Sequence, residues 1–268
     1  GLQQRLEEIK AASLSGDGRQ IGRLPGTPGF EKTARLIEQT FSKTGLEVIE
    51  QRFQVVVPVT EYCEILGTDG KPLPGVTLYP FEPSGLVPAV TPSDGVSGKL
   101  VVTESTNPLD LVGKPVENSI VLNRSMSGVA WPALASMAVK AVIVKESEAE
   151  VTAQQGNLDA PLPWASMLTQ YDVQYPRFYV RGPLEKFAGQ ELTVRCKVTW
   201  QSKEVKNIVG VLRGSGASRE ALVVNAYYDS YSVIPELAPG AEQSISLATL
   251  LELARALASA DCDTWLAR

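Results

Sequence analysis

Residues 221–230 read Ala-Leu-Val-Val-Asn-Ala-Tyr-Tyr-Asp-Ser, and a loop then leads to Pro239-Gly-Ala-Glu-Gln243 and a closing helix. The apolar run Ala221–Asn225 predicts a strand that ends just before two tyrosines and Asp229. Polar side chains therefore follow a strand and precede a helix, the usual place for a ligand in open α/β sheets. The apolar stripe of the helix consists of Leu247, Leu250, Leu251, Ala254 and Leu257.

The N-terminal segment carries a second set of local signals. Gly1–Gln20 predicts a helix that fades into a loop, and Arg23-Leu-Pro-Gly-Thr-Pro-Gly-Phe30 precedes another helix. Thr27 is a good N-cap and is followed by proline at the first helical position, where the missing N–H costs nothing. Gly45 is the expected helix stop. The next stretch, residues 46–59, predicts a strand that ends at its proline, residue 58.

The composition of the chain changes at about residue 60, and proline and glycine are frequent from there to residue 92. Short strands separated by turns are the prediction for this stretch. Beyond it, a small apolar segment over 129–138 predicts a helix between two strands, and that order suggests a parallel pair joined by a crossover. The clearer strand predictions are residues 98–104, 119–123, 140–145, 191–200 and 207–212.

Composition excludes several classes of function. The 268 residues include 25 Lys+Arg and 30 Asp+Glu, so a net charge of −5 without a basic block gives no sign of a nucleic-acid partner. The chain has no histidine, which removes Ser-His-Asp catalysis, HExxH metalloprotease chemistry and His-bound zinc from this chain taken alone. Its 3 cysteines are far apart and form no C-x-x-C, which excludes a four-cysteine zinc site.

The segments Asn225–Ser230, Pro239–Gln243 and Arg23–Phe30 together resemble the M28 family of zinc aminopeptidases and carboxypeptidases. The middle of the chain resembles the protease-associated (PA) domain that is often inserted in M28 proteins. The resemblance implies an α/β fold: the start of an M28-like mixed-sheet peptidase domain with an inserted β-rich PA-like domain. The implied domains are 1–59 (N-terminal part of the M28-like domain), 60–200 (PA-like insert) and 201–268 (its first α/β strands and a helix, truncated).

The chain departs from the family at the positions that would hold metal. Tyr227 stands where the resemblance places a metal-binding histidine, and a phenol is a poorer zinc ligand than imidazole. Glu242 stands at the position of the metal-bridging aspartate, followed by Gln243. Asp229 matches, but its implied role is to orient a histidine that this chain lacks. No catalytic residue and no confident metal ligand is therefore assigned.

Each of these residues also has an ordinary structural interpretation. The two tyrosines can be strand-end aromatics that pack at the edge of a core. Asp229 can cap a turn together with Ser230. Glu242 can be a first-turn acid favoured by the helix dipole, and Gln243 can bond to backbone.

The sequence thus predicts an M28-like protein that is catalytically inactive and binds a peptide or protein partner or acts as a structural module. No cofactor is expected in the chain as it stands. The alternative is a fragment of an active zinc-dependent exopeptidase, an aminopeptidase, whose remaining ligands lie beyond Arg268. A further interpretation is a structural module of a larger or membrane-anchored polypeptide. The family resemblance implies a location outside the cytoplasm, either secreted, periplasmic or membrane-anchored.

Overall fold

The computed structural model describes residues 1–13, 22–83, 85–103, 108–123, 134–145, 175–214, 220–230, 234–237 and 241–259, with backbone alone for 108, 110, 237 and 241–243. The chain divides into two compact units. Unit 1 comprises residues 1–57, 202–232 and 236–268, and unit 2 comprises residues 58–201 and 233–235. The chain passes from one unit to the other inside two long strands.

The helices are α1 Leu2–Ala12, α2 Pro28–Lys43, the short α3 Pro108–Leu111 and α4 Ala241–Ser259, with 3₁₀ turns at Leu184–Phe187 and Pro235–Leu237. The strands are β1 Glu47–Leu66, β2 Thr77–Pro80, β3 Val96–Thr103, β4 Ile120–Asn123, β5 Ala141–Val144, β6 Arg177–Arg181 and β7 Glu191–Val211. They form a 7-stranded sheet in the order β1-β7-β3-β4-β5-β6-β2. This mixed α/β sheet is the fold class that the sequence predicts.

The centre of unit 2 is parallel. β3, β4, β5 and β6 pair in parallel, whereas β2 pairs antiparallel with β6, and β3 antiparallel with β7. β4 and β5 are buried along their whole length, as their apolar sequences require in a parallel sheet covered on both faces. The predicted parallel pair of β4 and β5 is therefore confirmed. The helix predicted between them lies mostly outside the described residues.

Helix α2 of unit 1 begins and ends where its sequence signals predict. The Thr27 hydroxyl accepts a hydrogen bond from the backbone N–H of Phe30 at 3.4 Å, and proline occupies the first helical position. Gly45 follows the C-cap with φ of 78°, a left-handed conformation that is nearly free of steric cost only for glycine. Phe30, Ala34, Ile37 and Phe41 are buried at helical spacing, so one face of α2 lies in a core.

The core of unit 1 joins three helices. Ile9 of α1 and Phe41 of α2 belong to the same buried cluster as Leu247 and Leu251 of α4. Arg5 on α1 also pairs with Glu252 on α4 at 3.2 Å. The predicted apolar stripe of the closing helix is confirmed for its first turns, since Leu247 and Leu251 are 1% and 0% exposed, whereas Leu257 is 41% exposed.

Two of the predicted strand ends are wrong. The predicted strands 191–200 and 207–212 form the single strand β7, which ends at Val211, and β1 does not stop at Pro58 but continues to Leu66. β1 stands at one end of the strand order, where a proline need not donate a ladder hydrogen bond. The proline therefore fits inside the strand instead of ending it.

The predicted strand Ala221–Asn225 does not form. Its residues have no strand assignment, and the side chains of Leu222, Val223 and Val224 are 92%, 82% and 51% exposed. β-propensity expresses packing against neighbouring strands, and within the described ranges no strand pairs with this segment. An apolar sequence thus remains open to solvent immediately before the tyrosines.

None of the helices in the described ranges is both long and apolar enough to cross a membrane.

Substitutions in α4 test directly how the core of unit 1 is packed. Leu251→Ala removes a fully buried side chain, and we expect the free energy of unfolding to fall by about 2–5 kcal/mol. Leu253→Ala is the matched control on the same helix, because Leu253 is 40% exposed, and its cost should be well below half as large. Equal losses in urea denaturation of the two variants would contradict the packing of α4 on α1 and α2.

Candidate functional site

A buried arginine lies at the centre of the candidate site in unit 1. Arg23 is 0% exposed. Its Nε donates to the carbonyl oxygen of Tyr228 at 3.0 Å, and its Nη2 donates to the carbonyl oxygen of Asp229 at 3.4 Å. Its Nη1 donates to the hydroxyl of Ser13, the C-cap of α1, at 2.9 Å. One guanidinium therefore joins the end of α1 to residues 228–229.

The backbone of Arg23 completes the connection. Its N–H donates to the Ser230 hydroxyl at 2.7 Å, and the Ser230 N–H donates to the Arg23 carbonyl oxygen at 3.1 Å. Burial lowers the pKa of Arg23 to about 10, with the charge of Asp229 opposing that shift, so the guanidinium is charged at neutral pH. The residue is thus a buried cation that is bonded through both its side chain and its backbone.

Tyr228 points into unit 1. Its ring stacks on Phe30 with centroids 4.6 Å apart, and its hydroxyl donates to the carbonyl oxygen of Lys206 at 2.5 Å. Burial, and then the nearby negative charges of Glu31, Asp229 and Glu38, raise the pKa of the phenol. Tyr228 therefore remains protonated and acts as a packing and hydrogen-bonding residue.

Asp229 is half-buried beside this arginine. Its carboxylate accepts a hydrogen bond from its own backbone N–H. Burial raises the pKa of the carboxyl group, whereas that hydrogen bond and the charge of Arg23 oppose the shift. Asp229, the residue predicted to orient a histidine, therefore carries a carboxylate whose negative charge is disfavoured by burial and favoured by the neighbouring Arg23.

The other predicted site residues are placed differently. Tyr227 is 75% exposed, so its phenol faces solvent while the neighbouring Tyr228 is stacked inside. Glu242 and Gln243 lie in the first turn of α4, but their side chains are outside the described part of the structure. The structure thus places Asp229 among the hydrogen-bonded residues of the loop, and the phenol of Tyr227, in the same loop, in solvent.

Sequence reasoning did not identify Arg23 or Phe30 as site residues. Both residues lie in the segment Arg23–Phe30, which the sequence analysis used for the family resemblance and for the start of a helix. The signal that could have found them is a lone arginine before a turn rich in glycine and proline. A backbone contact supports this packing, because a Cβ on Gly29 would lie 2.1 Å from the carbonyl oxygen of Gly22.

The side chains present do not fit zinc, the metal that the resemblance implies. Structural and catalytic zinc sites use imidazole, thiolate and carboxylate ligands in a tetrahedral set. Here the chain has no histidine, the phenol of Tyr227 faces solvent, and the one carboxylate of residues 226–230 is that of Asp229. Among the described residues, no three His, Cys, Asp or Glu side chains are grouped as metal ligands.

Unit 2 contains an open cleft of its own. Its walls are the turn at Leu66–Gly70, Ser93 and Asp94, and the start of β7. Arg195 in this cleft pairs with Glu64 at 3.2 Å and lies over the ring of Tyr62 at 5.4 Å. The cleft is polar and carries charges of both signs, but its geometry does not select one ligand.

Comparison with known proteins supports the fold. No protein-family model and no curated protein sequence matches the chain. Two structures of a zinc aminopeptidase from Bacillus subtilis resemble it with TM-scores of 0.59 at 20% identity, over 96% and 95% of this chain. An aminopeptidase from Aneurinibacillus sp. strain AM-1 also covers 96% of this chain at 20% identity, with a TM-score of 0.47. This chain spans 58% of the length of the two zinc aminopeptidase structures. The likeness therefore shows an aminopeptidase-like fold.

The raised pKa of Asp229 gives a pH-dependent test. A carboxyl group whose folded pKa lies above its unfolded value opposes folding once it ionises. We expect the free energy of unfolding of the wild type, relative to Asp229→Asn, to fall as the pH rises from 3 to 7. Asp94→Asn, which removes an exposed carboxylate from unit 2, is the matched control. A relative gain of wild-type stability with rising pH would mean that the attraction of Arg23 outweighs burial.

Proposed function

We propose that this protein uses a zinc-aminopeptidase fold without zinc chemistry, to bind a peptide or protein partner. The observation that carries the proposal is Tyr227. It occupies the position that the resemblance assigns to a metal-binding histidine, its phenol is 75% exposed, and the chain has no histidine. A fold does not determine a function, which has to be argued from the site.

An exposed apolar segment supports the binding role. Leu222, Val223 and Val224 are 92%, 82% and 51% exposed, and Tyr227 follows them at 75%. Consecutive exposed apolar residues are unusual on a soluble surface and mark sites where other chains bind. Tyrosine is also enriched among the residues that contribute most to binding energy at interfaces. The segment 222–227 is therefore the proposed contact surface for the partner.

The remaining parts of the proposal rest on the resemblance alone. Unit 2 corresponds to the PA-like insert, and the protein acts outside the cytoplasm, secreted, periplasmic or attached to a larger or membrane-anchored polypeptide. The acidic composition, with a net charge of −5, supports a partner other than nucleic acid.

The alternative is an active zinc exopeptidase in which ligands from outside these 268 residues complete the site. Two observations favour it: the chain spans 58% of the zinc aminopeptidase structures, and carboxylates stand at positions 229 and 242. The alternative requires zinc to bind at the loop of Tyr227, whereas the main proposal requires that it does not.

Zinc content separates the two proposals. The full-length polypeptide, purified from its natural source so that any ligand outside these 268 residues is present, is incubated with excess zinc, desalted, and analysed for metal per polypeptide together with hydrolysis of an aminoacyl 4-nitroanilide. We expect zinc far below one equivalent and no hydrolysis, because an exposed phenol and a single carboxylate without a histidine make a poor donor set.

Two variants at one position serve as controls for the zinc experiment. Tyr227→His supplies the imidazole that the resemblance implies, and it should raise zinc binding above that of the wild type. Tyr227→Phe removes the phenol oxygen and should leave zinc binding unchanged. Near-stoichiometric zinc in the wild type that Tyr227→Phe abolishes would contradict the proposal and favour the peptidase.

A displayed library of random peptides tests the binding role. Peptides selected on the wild-type chain should bind Tyr227→Ala at least about tenfold more weakly, equivalent to about 1.4 kcal/mol. Leu86→Ala is the matched control, since Leu86 is 83% exposed and belongs to unit 2. Failure to select any peptide, or equal losses in both variants, would contradict the proposed contact surface.

A further inference from the structure

The loop that carries Tyr227 is held by bonds that need no metal. Arg23 bonds to the carbonyl oxygens of Tyr228 and Asp229, and it exchanges hydrogen bonds with Ser230 through its own backbone. Three consecutive residues of the loop are thus fixed by one residue that lies more than 200 positions earlier in the chain. Arg23 itself is buried, its bonds to the two carbonyl oxygens are partly buried, and the guanidinium is fixed on its other side by the Ser13 hydroxyl.

Two adjacent tyrosines show what this fixation achieves. Tyr228 stacks on Phe30 and donates to the Lys206 carbonyl oxygen, whereas Tyr227 is 75% exposed. Because the loop backbone is bonded at residues 228 to 230, rotation of the loop that would exchange the two rings is opposed. The orientation of Tyr227 towards solvent therefore depends on the residues that hold its neighbours.

We propose that Arg23 is the positioning residue of the loop Tyr227–Ser230, and that its hydrogen bonds set the outward orientation of Tyr227 through which a peptide partner binds. The inference rests on the proposed function in one respect, that Tyr227 is a contact residue for a partner. Its physical part, that Arg23 and not a metal ion fixes the loop, stands on the hydrogen bonds alone.

The geometry of these hydrogen bonds requires an arginine, and another cationic side chain such as lysine would not make them. Three of its donor atoms, Nε, Nη1 and Nη2, reach acceptors on two chain segments at 3.0, 2.9 and 3.4 Å. A lysine carries a single ammonium group on a flexible stem and cannot reach the three acceptors from one planar fork. Arg23→Lys therefore keeps the positive charge and removes the geometry.

Hydrogen exchange of the full 268-residue chain tests the inference, with mass spectrometry following the amides of residues 227–230 and those of α2 and α4. In the wild type we expect loop protection that is identical in EDTA and in excess zinc. In Arg23→Lys we expect at least tenfold faster exchange in the loop, with α2 and α4 unchanged and no rescue by zinc. Arg35→Lys is the matched control, because Arg35 is exposed on α2.

Each outcome decides the inference. Loop protection that falls in EDTA or rises with zinc in the wild type would overturn it, and so would an unchanged loop in Arg23→Lys. If Arg23→Lys also loosens α2 and α4, Ser13→Ala decides. It keeps Arg23 and removes the hydroxyl that bonds the far side of the guanidinium, together with the bond of that hydroxyl to the Ile9 carbonyl oxygen within α1. Faster exchange confined to the loop in Ser13→Ala supports the inference, and unchanged exchange overturns it.

A binding readout separates this inference from the proposed function. Peptides selected on the wild type should bind Arg23→Lys at least tenfold more weakly while the core amides of unit 1 remain protected. Unchanged peptide affinity together with a loosened loop would overturn the link between Arg23 and Tyr227. If no peptide binds the wild type, the proposed function fails, and hydrogen exchange still decides whether Arg23 fixes the loop.

Discussion

The burial of one charged side chain constrains how unit 1 is assembled. A guanidinium out of contact with water is costly unless its donors are bonded, and Arg23 at 0% exposure meets this requirement with acceptors from Ser13, Tyr228 and Asp229. Those acceptors lie at the end of α1 and in the loop before α4. The two segments must therefore come together around Arg23, and the shared core of α1, α2 and α4 is built beside that contact.

The fold and the residues of the candidate site give different indications of function. The mixed sheet and its helices resemble a zinc aminopeptidase, with a TM-score of 0.59 at 20% identity. The position that the resemblance assigns to a metal-binding histidine holds Tyr227, an exposed phenol, and Asp229 at the supporting position has no histidine to orient. The loop is nevertheless well bonded. Hydrogen bonds from a buried arginine stabilise its conformation, and Tyr227 faces solvent beside them.

Local signals in the sequence predicted much of the fold. A cap and a stop residue define α2, an apolar stripe identifies α4, and short runs of β-branched residues give β3, β4 and β5. The three strand errors, at Pro58, between residues 200 and 207, and at Ala221–Asn225, have a non-local origin. Whether a segment becomes a strand depends on the position of its partners, and a sequence window contains no information on that position. The candidate site was predictable only as a loop. The partners of Arg23 lie about 205 residues away, and which tyrosine points inward is decided by Phe30 and Lys206.

The most direct test of this account is a crystal structure of the chain grown in the presence of zinc, with anomalous diffraction recorded at the zinc edge. We expect no anomalous peak near Tyr227 or Asp229, and the Arg23 guanidinium bonded to the carbonyl oxygens of Tyr228 and Asp229. A zinc peak at about 2.0–2.2 Å from a carboxylate oxygen of Asp229 would contradict the account. In that case the loop would be a metal site, and the ion as well as Arg23 would hold it.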